Sequence, residues 1–413
     1  MSSSILNIYN DNILRILQLD ILPQYQQLVF ITDDIIHQLY SSQLSTILDY
    51  YNDRDIESII YTFPNSELSK TIETKISIEE FMLQYHIKRS HSCIISIGGG
   101  VCGDLSGYIA STYKRGIDLI HIPTTLLAMV DSSIGGKNGI NNKYGKNLIG
   151  TFHLPKYILI FTHFITSLPR IEIINGFAEI IKTAAITNKF LWDLLIQNTI
   201  DTIITNPELL VTIIKETAQT KLNIVEKDLY DNSISKSIKL LCPREHLNFG
   251  HTIGHIIEYT QNIKHGLAVA IGMIMEVNIQ LNNRYYVGIN TRHQLVECIR
   301  RYELPIKLTT PINKLEIEHY LINDKKDGRI VILKEIGNSY IIKPNINQII
   351  DLFYNQRHIY HNPKHIYHNP NSIDNNQNSI DNNPNSIEHE PITYIGPGSK
   401  SETNRVLILT ALG

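Results

Sequence analysis

Cys93-Ile94-Ile95-Ser96-Ile97 runs straight into Gly98-Gly99-Gly100-Val101-Cys102-Gly103-Asp104, and this stretch decides how the rest of the chain is read. The first part is a short, β-branched apolar run of strand length. The second satisfies G-x-G-x-x-G at the point where a strand would turn into a helix. Glycines there let backbone N–H groups approach a pyrophosphate, and the N-terminus of the following helix favours its negative charge. The same glycines also suit a helix that merely packs tightly on a sheet. An acid about twenty residues on, the usual ribose ligand, would fall near Asp118 at a strand start. Asp33, at the end of the run LVFITD, is better placed to bind hydroxyls.

Outward from this turn, similar apolar runs recur: LVFITD (28–33), ESIIYTF (57–63), DLIHIP (118–123) and YILIF (157–161). Helix-length segments separate them. Strands that are apolar throughout are covered on both faces, which predicts a parallel α/β sheet. From about 171 to 282 the apolar period becomes three to four residues, as in EIINGFAEIIKTAAITN and HGLAVAIGMIMEVNIQL, so this part reads as mainly helical. Beyond it, RIVILKEIGNSYIIK reads as a β-hairpin around Ile-Gly-Asn. The division expected is an α/β domain over 1–168 and a helical domain over 169–354, with a ligand cleft between them.

Composition bounds the remaining possibilities. At roughly 150 residues per domain, 413 residues suggest two or three domains. Lys and Arg number 37 against 40 Asp and Glu, a net charge of -3, so no basic excess points to nucleic acid or an anionic membrane. The four cysteines, Cys93, Cys102, Cys242 and Cys298, form no CxxC pair, which argues against a disulfide framework and fits a reducing cytoplasm. No apolar run approaches the ~20 residues of a membrane span, and the N-terminus lacks the pattern of a signal peptide. Between 355 and 390 the chain turns into Asn-, His-, Ser- and Pro-rich repeats such as HIYHNP and NSIDNN, with too few apolar residues to repay ordering, so a linker is expected. Positions 391–413 regain an apolar pattern, as the opening of another domain.

Two further segments suggest chemistry. Pro123-Thr124-Thr125 leads through Asp131 to Gly135-Gly136-Lys137, and then to Lys143-Tyr144-Gly145-Lys146-Asn147. Hydroxyls, glycines and lysines together read as a phosphate- or carboxylate-binding loop. In Gly250-His251-Thr252-Ile253-Gly254-His255-Ile256-Ile257-Glu258, the spacing i, i+4, i+7 puts His251, His255 and Glu258 on one helical face. Helical HxxxH brings two imidazoles to one point, where Zn²⁺ would need a third ligand from elsewhere; the same spacing also occurs for structural reasons alone. His265 begins the next helical run, and Glu179 lies in GFAEIIK beside Lys182. Two His and one Glu would leave coordination positions open for a substrate.

GGGVCGD, RG (115–116), PTTLLAMVDSSIGGK, GKNLIGTFHLP, GFAEIIK, LNFGHTIGH and HGLAVAIGM occur in one order that resembles the 3-dehydroquinate synthase family over nearly all of 28–350. PGSKSETNRVLILTALG is similar to the opening of an enolpyruvyl-shikimate-phosphate synthase domain, and the two activities are fused in the fungal arom polypeptides. The resemblance implies a Rossmann-like NAD-binding domain followed by a helical domain for metal and substrate. It implies a lyase of the shikimate route to aromatic amino acids, converting 3-deoxy-arabino-heptulosonate 7-phosphate into 3-dehydroquinate and phosphate with NAD and a divalent metal, usually Zn²⁺. Asp33, Glu67, Lys70, Gly98, Gly99, Gly100, Asp104, Thr124, Thr125, Lys146, Phe164, Ile165, Thr166 and Ser167 would hold NAD. Glu179, His251 and His265 would hold the metal and through it the substrate, which displaces the single-face reading: His255 becomes an acid/base or substrate-contacting residue. Arg115, Asp131, Lys137, Asn147, Lys182, Lys221, Arg244, Asn248 and Lys326 would bind the substrate, with Arg115 reaching across a homodimer.

Two departures from the family's pattern stand out. The segment between Lys221 and Arg244 is longer than the family's, and the catalytic glutamate expected there falls on Asp231 counting forward or on Leu240 counting back; Asp231 keeps a carboxylate and is preferred. Leu267 stands where the family usually has Glu after His-Gly, which removes a hydrogen bond expected behind the metal site. The alternatives within enzymes are a related sugar-phosphate cyclase or a metal-dependent polyol dehydrogenase on the same fold. A scaffold that binds NAD and metal without turnover is the reading outside enzymes.

Overall fold

Six strands, β1 (Ile5–Tyr9), β2 (Gln27–Asp33), β3 (Glu57–Phe63), β4 (Ser92–Gly98), β5 (Asp118–Pro123) and β8 (Tyr157–Phe161), form one sheet in the computed structural model, in the order β1-β8-β5-β4-β2-β3. Every pairing in it is parallel. The structure describes residues 4–229, 244–281, 284–323 and 328–354, which belong to one compact unit ending at Asn355. Asp231, Leu240, Lys326, Cys242 and the segments 355–390 and 391–413 lie outside the described residues.

Each residue of β2 and of β4 is buried, the consequence of helices on both faces of strands that are apolar throughout. Between successive strands run α1 (Asp34–Leu39), α2 (Ser41–Asn52), α3 (Ile72–Gln84) and α4 (Gly100–Thr112). A core of Val29, Ile31, Ile78, Met82, Ile94, Leu105, Ile109 and Leu119 fills the space between the sheet and α3 and α4. From β2 the chain moves outward to β3, then returns to lay β4 on the other side of β2. The crevice at the carboxyl ends of β2 and β4 is thus a topological switch point, where open α/β sheets bind ligands. Asp33 ends one of these strands and Gly98 the other.

Two strand regions depart from the reading by pattern. β1 has Asn7 in its middle and only partly buried side chains, so it shows no strand signal of its own; parallel pairing with β8, Ile5 to Tyr157 through Tyr9 to Phe161, makes it a strand. The second half of the stretch read as an anion-binding loop, from Lys137 on, folds as the antiparallel hairpin β6 (Lys137–Asn142) and β7 (Gly145–Phe152). Asn, Gly and Lys dominate it, so alternation is invisible. It is held by packing on α4, where a Cβ on Gly107 would stand 1.9 Å from Asn138 Oδ1.

The helical part comprises α5 (Arg170–Thr187), α6 (Lys189–Gln197), α7 (Ile200–Thr205), α8 (Pro207–Lys227), α9 (His251–Gln261) and α10 (His265–Val277). A short pair, β9 (Gln280–Leu281) and β10 (Arg284–Tyr285), precedes α11 (Ile289–Arg301) and α12 (Lys314–Asn323). The hairpin β11 (Ile330–Glu335) and β12 (Asn338–Ile342) turns at Ile336 and Gly337, and α13 (Ile346–Tyr354) ends the described chain. Buried residues run almost unbroken along α5 from Ile173 to Ile186 and along α10 from Ala268 to Val277. Helices apolar on all sides belong in a core. Polar residues on them, such as Glu179 and Lys182, therefore call for an explanation.

Candidate active site

At the switch point, the turn from β4 into α4 leaves no room for side chains. A Cβ on Gly98 would lie 2.5 Å from Cys102 Cβ and 3.4 Å from Asp33 Oδ2; one on Gly99 would lie 3.2 Å from Thr125, and one on Gly100 3.3 Å from Ser132 Oγ. Gly99 is the N-cap of α4, so first-turn N–H groups point into the crevice. Asp33 Oδ1 accepts from Ile36 N at 3.0 Å and from Asn65 Nδ2 at 3.2 Å, which turns Oδ2 toward Gly98. Burial pushes the Asp33 pKa upward. Thr124 Oγ1 is buried with no hydrogen-bond partner among the described residues, while Thr125 Oγ1 accepts from Ala128 N at 3.1 Å. Burial pushes the Cys102 thiol up to about 12, so it packs rather than reacts. Crowded glycines, a capless helix start and an orphaned hydroxyl fit a dinucleotide.

Around that turn, Lys70 ion-pairs with Asp104 and donates to Asn147 Oδ1. Burial raises the Asp104 pKa, and Lys70 opposes it. Glu67 Oε1 accepts from Asn141 Nδ2 at 2.7 Å. These contacts tie the β6–β7 hairpin to the nucleotide crevice and place Asn147, expected at the substrate, beside Lys70. Phe164, Ile165, Thr166 and Ser167 lie in the 3₁₀ turn Thr162–Ser167, with Phe164 edge-on to Tyr40 at 4.8 Å and Ser167 Oγ 2.7 Å from Tyr40 Oη.

A second cluster forms where α5, α9 and α10 meet. Glu179 is fully buried on α5, His251 opens α9 and His265 opens α10. His251 Nε2 and His265 Nε2 each lie 3.5 Å from Glu179 Oε1. Lys182, one turn along α5, ion-pairs with Glu179. Burial alone would raise the Glu179 pKa, but Lys182 and His265 hold it below the usual carboxylate range. Neither Glu179 oxygen has a well-aligned hydrogen bond among the described residues. Such a carboxylate, fully desolvated and facing two imidazole nitrogens, fits a divalent cation. His251 Nδ1 lies 3.0 Å from Phe249 O, which as an N–H donor makes Nε2, the nitrogen facing Glu179, an acceptor able to bind a cation.

The second group within metal-binding reach is His255, Glu258 and His265. His265 belongs to both groups. Its Nδ1 is 2.9 Å from Glu258 Oε2, and Glu258 Oε1 accepts from Lys146 at 2.7 Å. A carboxylate that Leu267 does not offer thus stands beside His265 from the neighbouring helix, at Glu258. Burial disfavours ionised Glu258, but His265 and Lys146 hold it at about 2. Lys146, expected at NAD, is placed beside this group. The ring centres of His251 and His255 are 5.3 Å apart and those of His255 and His265 5.8 Å, so all three imidazoles face one space.

Cationic groups continue the cluster toward the crevice. Lys182 Nζ is 3.8 Å from Asp131 Oδ1, and Lys221 Nζ donates to Asp131 Oδ1 at 2.6 Å and to its carbonyl at 2.8 Å. Burial lowers the pKa of Lys221; it also works against Lys182, where Glu179 and Asp131 overcome it and raise the pKa. Arg244 Nη2 donates to Gly135 O at 3.1 Å, and Asn248 ends the same short turn, Arg244–Asn248. Lys137 begins β6. Arg115 is exposed beyond the far end of α4, roughly 20 Å from Gly100 at 1.5 Å per helical residue. Pattern reading overlooked Asn175 and Glu276, whose hydrogen bonds join α5 to α10 and α10 to α9, and His121, which lines a small cavity under the glycine turn. Nothing local marks them: each acts on a residue distant in sequence or on a packing layer.

The family model for the 3-dehydroquinate synthase N-terminal region matches residues 60–175, and that for the C-terminal region matches 176–327. A pentafunctional AROM polypeptide of Clavispora lusitaniae is 35% identical over 384 residues, covering 86% of this chain and 22% of its own. One from Candida tropicalis is 35% identical over 390 residues, covering 87% and 23%. The chain thus spans about a quarter or less of these relatives. A 3-dehydroquinate synthase of Streptococcus thermophilus is 36% identical over 333 residues, covering 78% of this chain and 87% of the relative. In fold, the chain is similar to 2-epi-5-epi-valiolone synthase from Streptomyces hygroscopicus with NAD+ and Zn2+ bound, with TM-score 0.75, 23% identity, and coverage of 86% and 97%. It is similar also to 2-deoxy-scyllo-inosose synthase complexed with carbaglucose-6-phosphate, NAD+ and Co2+, at 0.72, 24%, 85% and 96%.

Proposed function

Because the chain belongs to the 3-dehydroquinate synthase family, we propose that this site converts 3-deoxy-arabino-heptulosonate 7-phosphate into 3-dehydroquinate and phosphate. The observation that carries the reading is Glu179: a buried carboxylate facing two imidazoles, with a line of cations leading from it toward the switch point. When bound, NAD supplies a reversible hydride acceptor and the divalent metal a Lewis acid that polarises a hydroxyl.

This chain's residues supply grip and proton traffic. Glu179, His251 and His265 would hold the metal; Asp33, Thr124 and the glycine turn would hold NAD. Lys182, Lys221 and Arg244 would neutralise a doubly anionic substrate, aided by Lys137, Asn147, Asn248, Arg115 and Lys326. His255, beside both ligand imidazoles, would carry a proton, with Asp231 as a second acid/base group. Glu179 and Lys182 are themselves buried, so the charges they present to the substrate would act in a medium of low dielectric. We read 1–168 and 169–354 as the two domains that meet at this cleft, Arg115 as a residue acting across a homodimer, the compartment as cytoplasm, and the downstream segment as joining a further shikimate-route domain. Among the described residues, no helix is long and apolar enough to cross a membrane.

The test is a purified, Zn²⁺-loaded protein given NAD and the heptulosonate phosphate. Phosphate should appear without accumulation of NADH, and a chelator should stop it. Steady NADH formation without phosphate would replace this reading by a polyol dehydrogenase, and binding of both cofactors without turnover by a scaffold.

A further inference from the structure

Three metal-facing residues on three different helices can converge only if the helices are fixed along their axes, because a slip of one residue moves a ligand by ~1.5 Å. We propose that Asn175 and Glu276 are positioning residues that fix the axial register of the three ligand-bearing helices; this rests on the metal reading of Glu179, His251 and His265.

The first turns of α9 and α10 cannot cap themselves. The N-cap of α9 is Gly250, which has no side chain, and that of α10 is Lys264, whose ammonium accepts nothing. Buried first-turn N–H groups left without acceptors would be costly. Both are answered from a neighbouring ligand helix. Asn175, on α5 one turn before Glu179, accepts from Gly266 N through Oδ1 at 2.7 Å, next to His265. Glu276, fully buried near the end of α10, accepts from Gly250 N at 2.7 Å and from Ile253 N at 3.4 Å, on either side of His251. The helix with Glu179 thus registers the helix with His265, which in turn registers the helix with His251.

Packing at the same joints makes the register discrete. A Cβ on Gly266 would stand 2.0 Å from Asn175 O, and one on Gly272 2.0 Å from Gly250 O. The helices touch backbone to backbone at the capped points, so a lost cap is not replaced by water without the joint opening. Glu276 also complements the positive end of α9. By holding the Gly250 amide it steadies the preceding Phe249 carbonyl, the partner of His251 Nδ1 and hence the group that sets its tautomer.

The experiment compares Co²⁺ binding by the whole chain and by Asn175→Ala, Asn175→Asp, Glu276→Gln and Glu276→Ala variants. Affinity is read by competition with a chromophoric chelator and geometry by the Co²⁺ d–d absorption, with metal-free melting temperature alongside. Asn175→Ala and Glu276→Ala, which remove the acceptors for Gly266 N and Gly250 N, should weaken Co²⁺ by roughly 10–100-fold, the range for residues that hold ligands in place, and shift the d–d bands. Asn175→Asp and Glu276→Gln, which each keep an acceptor oxygen, should restore both. Parental affinity and spectrum in Asn175→Ala and in a folded Glu276→Ala, with only a lower melting temperature, would reduce the pair to stabilisers and overturn the proposal. If the Glu276 variants fail to fold, Asn175→Ala against Asn175→Asp decides alone. Failure of the parent to bind Co²⁺ would overturn the metal reading and this inference with it, whereas parental binding unchanged in the variants overturns this inference only.

Discussion

The proposed nucleotide corner and the proposed metal corner are built in opposite ways. At the first, Gly98, Gly99 and Gly100 follow one another at the end of one strand, and the absence of side chains creates the space. At the second, Glu179, His251 and His265 come from three helices, and the presence of side chains creates the site. A local site of this kind is spoiled by adding atoms; a convergent one is spoiled by removing them or by moving a helix. Each corner should therefore fail without the other.

The largest expected effect is His251→Ala, which removes a proposed metal ligand outright. Its loss of metal affinity should exceed the roughly 100-fold upper range for residues behind a site, while NAD titration stays near parental. Metal content after dialysis checks this, and unchanged stoichiometry would show that the ligand set is wrong. Next is Gly98→Ala. Its Cβ would meet Cys102 Cβ at 2.5 Å, an atom fixed to the helix backbone and unable to swing aside. Overpacking of this kind costs about 1–3 kcal/mol, or roughly 5–150-fold if it falls on NAD affinity. Equal loss of NAD and metal binding would mean that the corners are one unit.

The smallest effect is set by pH. Burial disfavours the His265 imidazolium, but Glu179 and Glu258 outweigh it and raise its pKa from 6.5 to about 9 in the metal-free protein. Metal must then displace a proton at neutral pH. Affinity should climb by at most about tenfold per pH unit up to about 9 and level off above. The sign for the metal-free fold is opposite: the stabilisation from this pair is full below pH 6.5 and is lost as pH rises through about 9. Isothermal titration in buffers of different protonation enthalpy reads the proton released; none released at pH 7 would contradict the assignment.

Reading by pattern worked where the signal is local and chemical. The runs 28–33, 118–123 and 157–161 match strands because a strand covered on both faces must be apolar along almost its whole length, and 57–63 matches the edge strand β3, whose Glu57 and Thr62 are exposed. It failed at β1, whose Asn7 breaks the pattern at a sheet edge, and at β6 and β7, whose Asn- and Gly-rich residues pack by shape against α4. Within the site, spacing alone grouped His251, His255 and Glu258, which do share a helix. What spacing could not reveal is that Glu258 turns to His265 on the next helix, supplying from elsewhere the carboxylate absent at Leu267.

The sequence by itself determined the parallel sheet, the glycine turn at the end of β4 and the residue types available for an anionic, metal-assisted chemistry, because each depends on neighbours within a turn or two of chain. Only the tertiary structure decided which carboxylate meets which imidazole, that Lys146 reaches Glu258, and that Asn175 and Glu276 cap helices other than their own. Those choices depend on how closely two helices approach. Backbone contact at Gly266 and Gly272, not any residue's own propensity, sets that distance.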